Sequence, residues 1–254
     1  MIKIENTEVV GWGHAIRGMR NPLNSWDKMD SHKCGSSNGP CPMAENEHIP
    51  FKRCEEKEFL FCLGENDHEL MMRLAKAGPE HAKYRRMIVA YADVTAPLYW
   101  WKEYDTYKVG TVANSCSTMH KIADKEFTLK DFSYEHLDDE FECVKSSAAD
   151  PYDGDFKTSI GILLDTIEGL NWWRNQYLHQ KEINAGTERL RWCWWQLIQL
   201  LPSSYNQRRT LMLNYEVLAN IYHQRLNHKL DEWREFSSWI EQLPYSELIT
   251  EKEA

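Results

Sequence analysis

Apolar and polar positions along this chain change period several times, and the changes mark out its elements. Residues 1–10, MIKIENTEVV, alternate as a short strand does. Residues 20–56 lose that order: Asn21-Pro22, the run Gly35-Ser36-Ser37-Asn38-Gly39-Pro40 and Pro42 are turn and loop signals. Phe59–Leu63 predicts a short strand. Asn66-Asp67-His68-Glu69 predicts a helix start, with Asn66 as cap and Glu69 three residues on. That helix turns Leu70, Met71, Leu74 and Ala77 inward and stops at Gly78-Pro79. Met87–Val94 predicts a buried strand, and Pro97 suits the first turn of a helix from Leu98 to about Tyr107.

From 121 to 156 the chain is polar and acidic, and Asp150-Pro151-Tyr152-Asp153-Gly154-Asp155 predicts an exposed loop. Helical spacing then returns in Ile160, Leu163, Leu164, Ile167, Leu170 and Trp173. It recurs in Leu190, Trp194, Leu197, Ile198 and Leu201, before Pro202 ends the second helix. Thr210–Leu226 and His228–Leu243 predict two more helices. There is no internal repeat and no clear domain boundary. The expectation is a single domain over 1–254, with a loop-rich insertion at about 21–56 and a variable polar segment at about 121–156. The fold class is α+β, with helices dominant in the second half.

Composition narrows the function classes. The chain has 254 residues, with 42% hydrophobic and 27% charged, which suits a packed globular protein. Eleven Trp and 12 Tyr are many, enough to fill cores, subunit contacts or ligand walls. A net charge of -9 argues against broad binding to a nucleic-acid backbone. No run approaches the roughly 18 apolar residues of a membrane span. The N-terminal residues lack the basic and apolar regions of a signal peptide. With seven Cys, an odd count, reduced thiols in a cytoplasm are the simplest reading.

Most common catalytic motifs are absent: there is no Walker loop, G-x-G-x2-G, G-x-S-x-G or H-E-x2-H. His32, Cys34, Cys41, His48 and Cys54 share one loop-rich stretch, but C-x6-C and C-x12-C lack the tight zinc knuckle, so no metal site is expected. Cys116 has no evident base beside it. Trp172-Trp173 and Trp192-Cys193-Trp194-Trp195 suit core and helix packing better than base stacking.

The stretch from His81 to His120 resembles the signature region of the flavin-dependent thymidylate synthases. That family carries H-x3-P-F-E-H, then A-P at a strand end, then R-Q on a helix, then R-H-R-x2-S-x-N-E-x-S-x-R-Y. His81, Ala96 and Pro97 fall on this frame without a gap. Lys102-Glu103 take the place of Arg-Gln, and Thr106-Tyr107-Lys108 the place of Arg-His-Arg. With one extra residue, Thr111 takes the first Ser position, Asn114 the Asn, Ser115 the Glu and Ser117 the second Ser, while Met119-His120 replace Arg-Tyr. A second block agrees: Asn214, Asn220 and Arg225 keep the spacing of two flavin-contacting Asn and a nucleotide-contacting Arg. Eleven residues are close to three helical turns, which puts Asn214 and Arg225 on one face of the predicted helix and Asn220 to the side. His228, Glu232 and Arg234 also match the family in type.

The resemblance lies in two blocks, 78–120 and 200–236. It implies a central antiparallel sheet flanked by helices, a homotetramer with sites shared between subunits, FAD as cofactor and dUMP as substrate. Carried over position by position, the flavin contacts are Thr106, Tyr107, Lys108, Asn114, Asn214 and Asn220. The substrate contacts are His81, Lys102, Glu103, Thr111, Ser117 and Arg225, with no catalytic residue assigned. The substitutions matter physically. Arg-His-Arg supplies forked, fixed cations; Lys108 keeps one charge without the fork, and Thr106 and Tyr107 keep only hydrogen bonding. Losing a bidentate phosphate contact at Met119 would cost about 1.5–3 kcal/mol; Arg85 or Arg86 is a candidate to supply the missing charge, the alternative being that the pair forms a solvated basic turn. Three classes stay open: a flavin-dependent enzyme acting on a pyrimidine nucleotide, a binding protein that sequesters a small-molecule nucleotide (a role suited to a phage-encoded protein), and an interaction protein with its pocket closed.

Overall fold

The computed structural model describes residues 2–33, 61–145 and 156–251. The elements in chain order are β1 (Lys3–Val10), α1 (Trp12–Arg20), β2 (His32–Lys33), β3 (Phe61–Cys62) and α2 (Glu65–Lys76). There follow β4 (Val89–Pro97), α3 (Leu98–Tyr104), β5 (Thr111–Ser115), α4 (Thr118–Lys121), β6 (Val144–Lys145) and β7 (Phe156–Lys157). The second half continues with α5 (Ser159–Glu182), α6 (Thr187–Leu200), β8 (Asn206–Asn214), α7 (Tyr215–Arg225), α8 (Asp231–Glu241) and α9 (Glu247–Thr250). A four-stranded antiparallel sheet in the order β1-β4-β8-β5 is flanked by helices, the α+β architecture expected. The pairs β2-β3 and β6-β7 form two small antiparallel ribbons.

Strand β4 shows why the sheet has one packed face. Ala90, Ala92, Val94 and Ala96 are buried, while Tyr91 between them is 38% exposed. Period-2 alternation with small residues inward lets a helix lie close to the strand. Buried strand character was expected from Met87; the chain instead makes a 3-10 turn over Ala82–Met87, and the strand runs on to Pro97. Pro97 therefore ends the strand and precedes α3 rather than opening its first turn.

The chain divides into two compact units. One comprises Met1–Lys3, Val94–Thr106 and Asn114–Arg209. Its core joins Ile122, Phe127 and Phe132 to Leu163, Ile167 and Leu170 of α5 and Leu197 of α6. The two long helices pack as a hairpin. Thr158 caps α5 by accepting from the Gly161 N–H, satisfying one of the four unpaired donors of the first turn. Trp100, Trp101 and Tyr104 of α3 form a second buried knot, with ring centroids 4.7–5.3 Å apart.

The other unit comprises Ile4–Asp93, Tyr107–Ala113 and Thr210–Ala254. Trp12 is buried at its centre, edge-on to Tyr215 at 5.5 Å and to Tyr245 at 5.2 Å. Trp233, Phe236 and Ile240 of α8 and Leu248 and Ile249 of α9 close the core. Gly11 permits the α1 entry: its φ is +100°, and a Cβ there would stand 1.9 Å from the Met87 carbonyl oxygen. Helix α2 starts at Glu65, one residue before the predicted cap. Its end is capped from a distance, because Gly64 has no side chain to offer. The Asp30 carboxylate accepts from the Asn66 N–H at 2.9 Å and the Asp67 N–H at 3.1 Å. Ala75, not Ala77, completes its buried face with Leu70 and Met71.

The largest departure from expectation is at 206–225. The predicted helix Thr210–Leu226 is a strand and then a helix. Leu211 and Leu213 are buried with Met212 half-buried between them, and β8 lies between β4 and β5, with backbone partners on both sides. The short run TLMLN is ambiguous by period alone, and the neighbouring strands decide it. The last predicted helix likewise begins at Asp231 rather than His228, after a turn in which His228 Nδ1 accepts from the Leu230 N–H.

Candidate functional site

The residues of the second sequence block gather around the end of β8 and the length of α7. Asn214 is the N-cap of α7: its side-chain oxygen accepts from the Val217 N–H at 3.0 Å. It is not on the helix, so the expectation that Asn214 and Arg225 share a helical face is corrected. Arg225 is the last helical residue and is half-buried. Asn220 lies mid-helix and is exposed.

What brings the two signature blocks together in this unit is the turn between α3 and β5. Helix α3 ends at Tyr104, not at Tyr107. The Thr106 hydroxyl donates to the Glu103 carbonyl at 2.7 Å, a local bond that competes with further helix. The chain then runs to Arg225. The Tyr107 hydroxyl accepts from Arg225 Nε at 2.8 Å and donates to Gln224 Oε1 at 2.9 Å. The Arg225 guanidinium carbon lies 4.8 Å from the Trp233 ring centroid and 5.7 Å from that of Tyr107. The two rings meet edge-on at 6.0 Å. A cation beside two aromatic rings gains from both quadrupoles. Gly110, at φ +77°, lies so close to Asn214 that a Cβ would stand 2.5 Å from its Nδ2. The Thr111 hydroxyl donates back to the Tyr107 carbonyl at 2.5 Å and fixes the turn.

His81 is exposed and precedes the 3-10 turn. In the first unit, Lys102 is exposed on α3, Glu103 is half-buried beside it, and Asn114 is exposed on β5. Ser117 caps α4 by accepting from the His120 N–H at 3.1 Å. Lys108 is exposed in the turn. Arg85 and Arg86, candidates to replace lost positive charge, are paired with Glu251 at 3.1 Å and Glu216 at 2.6 Å. Cys34, Cys41, His48 and Cys54 lie outside the described residues.

Two features had no sequence signal. Trp233 stands eight residues beyond Arg225 across a helix–helix turn, so no periodicity links them. In the first unit Arg209 lies over the Trp101 ring at 4.2 Å and reaches Asp105 at 2.7 Å and Gln207 Oε1 at 3.0 Å. Burial, aided by the Asp105 charge, keeps the neighbouring Tyr104 phenol well above its ordinary pKa and so neutral.

No protein-family model matches the sequence, and no curated protein matches it. Solved structures do. Thymidylate synthase X from Helicobacter pylori, with FAD and dUMP, aligns over 99% of this chain and 98% of its own, with TM-score 0.55 at 13% identity. A second structure of the flavin-dependent enzyme from Helicobacter pylori, complexed with FAD and dUMP, aligns over 97% of this chain and 99% of its own, with TM-score 0.54 at 13% identity. At that identity the likeness carries the fold alone, and the chain has the fold of the flavin-dependent thymidylate synthases.

Proposed function

We propose that this chain binds a pyrimidine nucleotide of the dUMP class, with Arg225 as the principal cation, and holds it without flavin-dependent turnover. The observation that carries this reading is the Tyr107–Arg225–Trp233 cluster. It keeps a guanidinium beside two aromatic rings at the position where the resemblance expects a nucleotide-contacting Arg. An oriented guanidinium suits the planar acceptors of phosphate and uracil, and the half-buried Tyr107 ring suits a flat base, while the buried Trp233 ring backs the guanidinium from the core.

FAD is the cofactor that the resemblance implies, and the donor set is a poor match for it. A flavin dinucleotide needs fixed cations for its phosphates and open donors for its ring edge. Of Thr106-Tyr107-Lys108 only Lys108 carries charge, the Thr106 hydroxyl serves Glu103, and the Tyr107 hydroxyl serves Gln224 and Arg225. The Asn214 carboxamide oxygen caps α7 and its nitrogen faces Gly110. These residues do not fit the flavin. Capture of a nucleotide, or of a signal built from one, is the activity that remains.

The test has two parts. Freshly purified protein is denatured and the released small molecules are weighed by mass spectrometry. A pyrimidine nucleotide without flavin supports the reading, whereas stoichiometric FAD returns the enzyme reading. Calorimetric titration with dUMP then compares the native chain with Arg225→Ala. Loss of a charge-assisted contact predicts a fall in affinity of about 30-fold or more, with the oligomer intact. Unchanged affinity removes Arg225 from the site.

A further inference from the structure

The same cluster has a geometry that plain ligand capture does not require. Tyr107 covers Arg225, and Gly110 covers Asn214, within one turn of chain. Val109 between them is 88% exposed, so the turn gains little from burial there. Its described tethers are the Tyr107 hydroxyl bonds, the edge contact of the Tyr107 ring with Trp233, the close approach of Gly110 to Asn214 and the short Thr111–Tyr107 link. Such a segment is cheap to move. Local opening costs least where few apolar contacts are made.

We infer that the turn Tyr107–Gly110 is a gate over Arg225 and Asn214, and that Tyr107 selects ligands by charge. This rests on the nucleotide reading above. To reach Arg225 Nε a ligand must displace a phenol oxygen that already accepts from it. A phosphate oxygen does so, because an anionic acceptor binds a guanidinium more strongly than a neutral hydroxyl does. The carbonyls of a free nucleoside offer no such advantage. The gate therefore admits nucleotides and rejects nucleosides. Discrimination comes from a competing internal contact as much as from attraction to the right ligand.

Arginine modification by phenylglyoxal on the full chain, mapped by peptide mass spectrometry, tests this directly. The exposed Arg86 side chain serves as internal reference. In Tyr107→Phe the ring stays and the hydroxyl goes, so Arg225 should label on the order of tenfold faster. Gly110→Ala should act in the same direction, since its Cβ has no room beside Asn214. In the native chain dUMP should protect Arg225 and deoxyuridine should not; in Tyr107→Phe both should protect. An unchanged labelling rate in Tyr107→Phe overturns the gate, and so does equal protection of the native chain by deoxyuridine. Faster labelling with protection by neither ligand leaves the gate standing and removes the nucleotide reading instead.

Discussion

Asp67 is fully buried, and the groups around it make that tolerable. Arg20 donates to it from Nε at 2.6 Å, the Ser31 hydroxyl at 2.6 Å, and the backbone N–H groups of Asp30 and Ser31 at 3.1 and 2.9 Å. Burial pushes the Asp67 carboxyl pKa up, but the Ser31 hydroxyl, Arg20 and the two N–H donors together hold it below the ordinary value. A depressed folded-state pKa contributes stability above the unfolded-state value of about 3.9, and that stability is lost as pH falls through the folded value. Asp67→Asn should therefore flatten the acid limb of the stability–pH curve. At neutral pH it should cost about 3–5 kcal/mol in urea unfolding, because Arg20 is left buried without its carboxylate. An acid limb as steep as that of the native chain would show that other carboxylates govern it.

At the scale of elements, several ends are set by side chains far away in sequence. Asp30 caps α2 from 36 residues upstream. Asp30→Ala should lower stability by about 1–2 kcal/mol and raise amide exchange in the first turn of α2. No change in exchange at Asn66 and Asp67 would mean that the cap is idle. Gly11→Ala tests the other kind of boundary. Positive φ and the close Met87 carbonyl together predict a loss of about 2 kcal/mol or more. Serine or alanine tolerated there without loss would contradict the close approach.

On the scale of the whole molecule, apolar surface is left over. Trp172, Trp192 and Trp195 on the α5–α6 hairpin are 53%, 43% and 40% exposed, with Leu164 at 49%. Trp172 and Trp192 both pack against Trp173, and a large contiguous exposed apolar patch marks a contact surface. If the chain forms the homotetramer that the resemblance implies, these side chains are expected at its contacts. Sedimentation should give a mass about four times 30.0 kDa, falling in a Trp172→Lys, Trp195→Lys double variant. A 30.0 kDa particle at micromolar concentration would leave the hairpin needing another partner. Among the described residues no helix is long and apolar enough to cross a membrane.

Long periodic segments were legible in the sequence by itself. The helices at Ser159–Glu182 and Thr187–Leu200 follow from apolar residues repeating over several turns, a signal that needs no partner. The α+β class was legible for the same reason, since the order of periodic segments is a property of the chain. Tertiary structure alone decided the rest. TLMLN is a strand because β4 and β5 flank it, and α2 is capped because the Asp30 carboxylate reaches the N–H groups of Asn66 and Asp67. Tyr107 is hydrogen-bonded to Arg225 because Thr106 ends α3 and a glycine turn carries the chain to Asn214. Each of these depends on a contact between residues distant in sequence, and such contacts have no period to read.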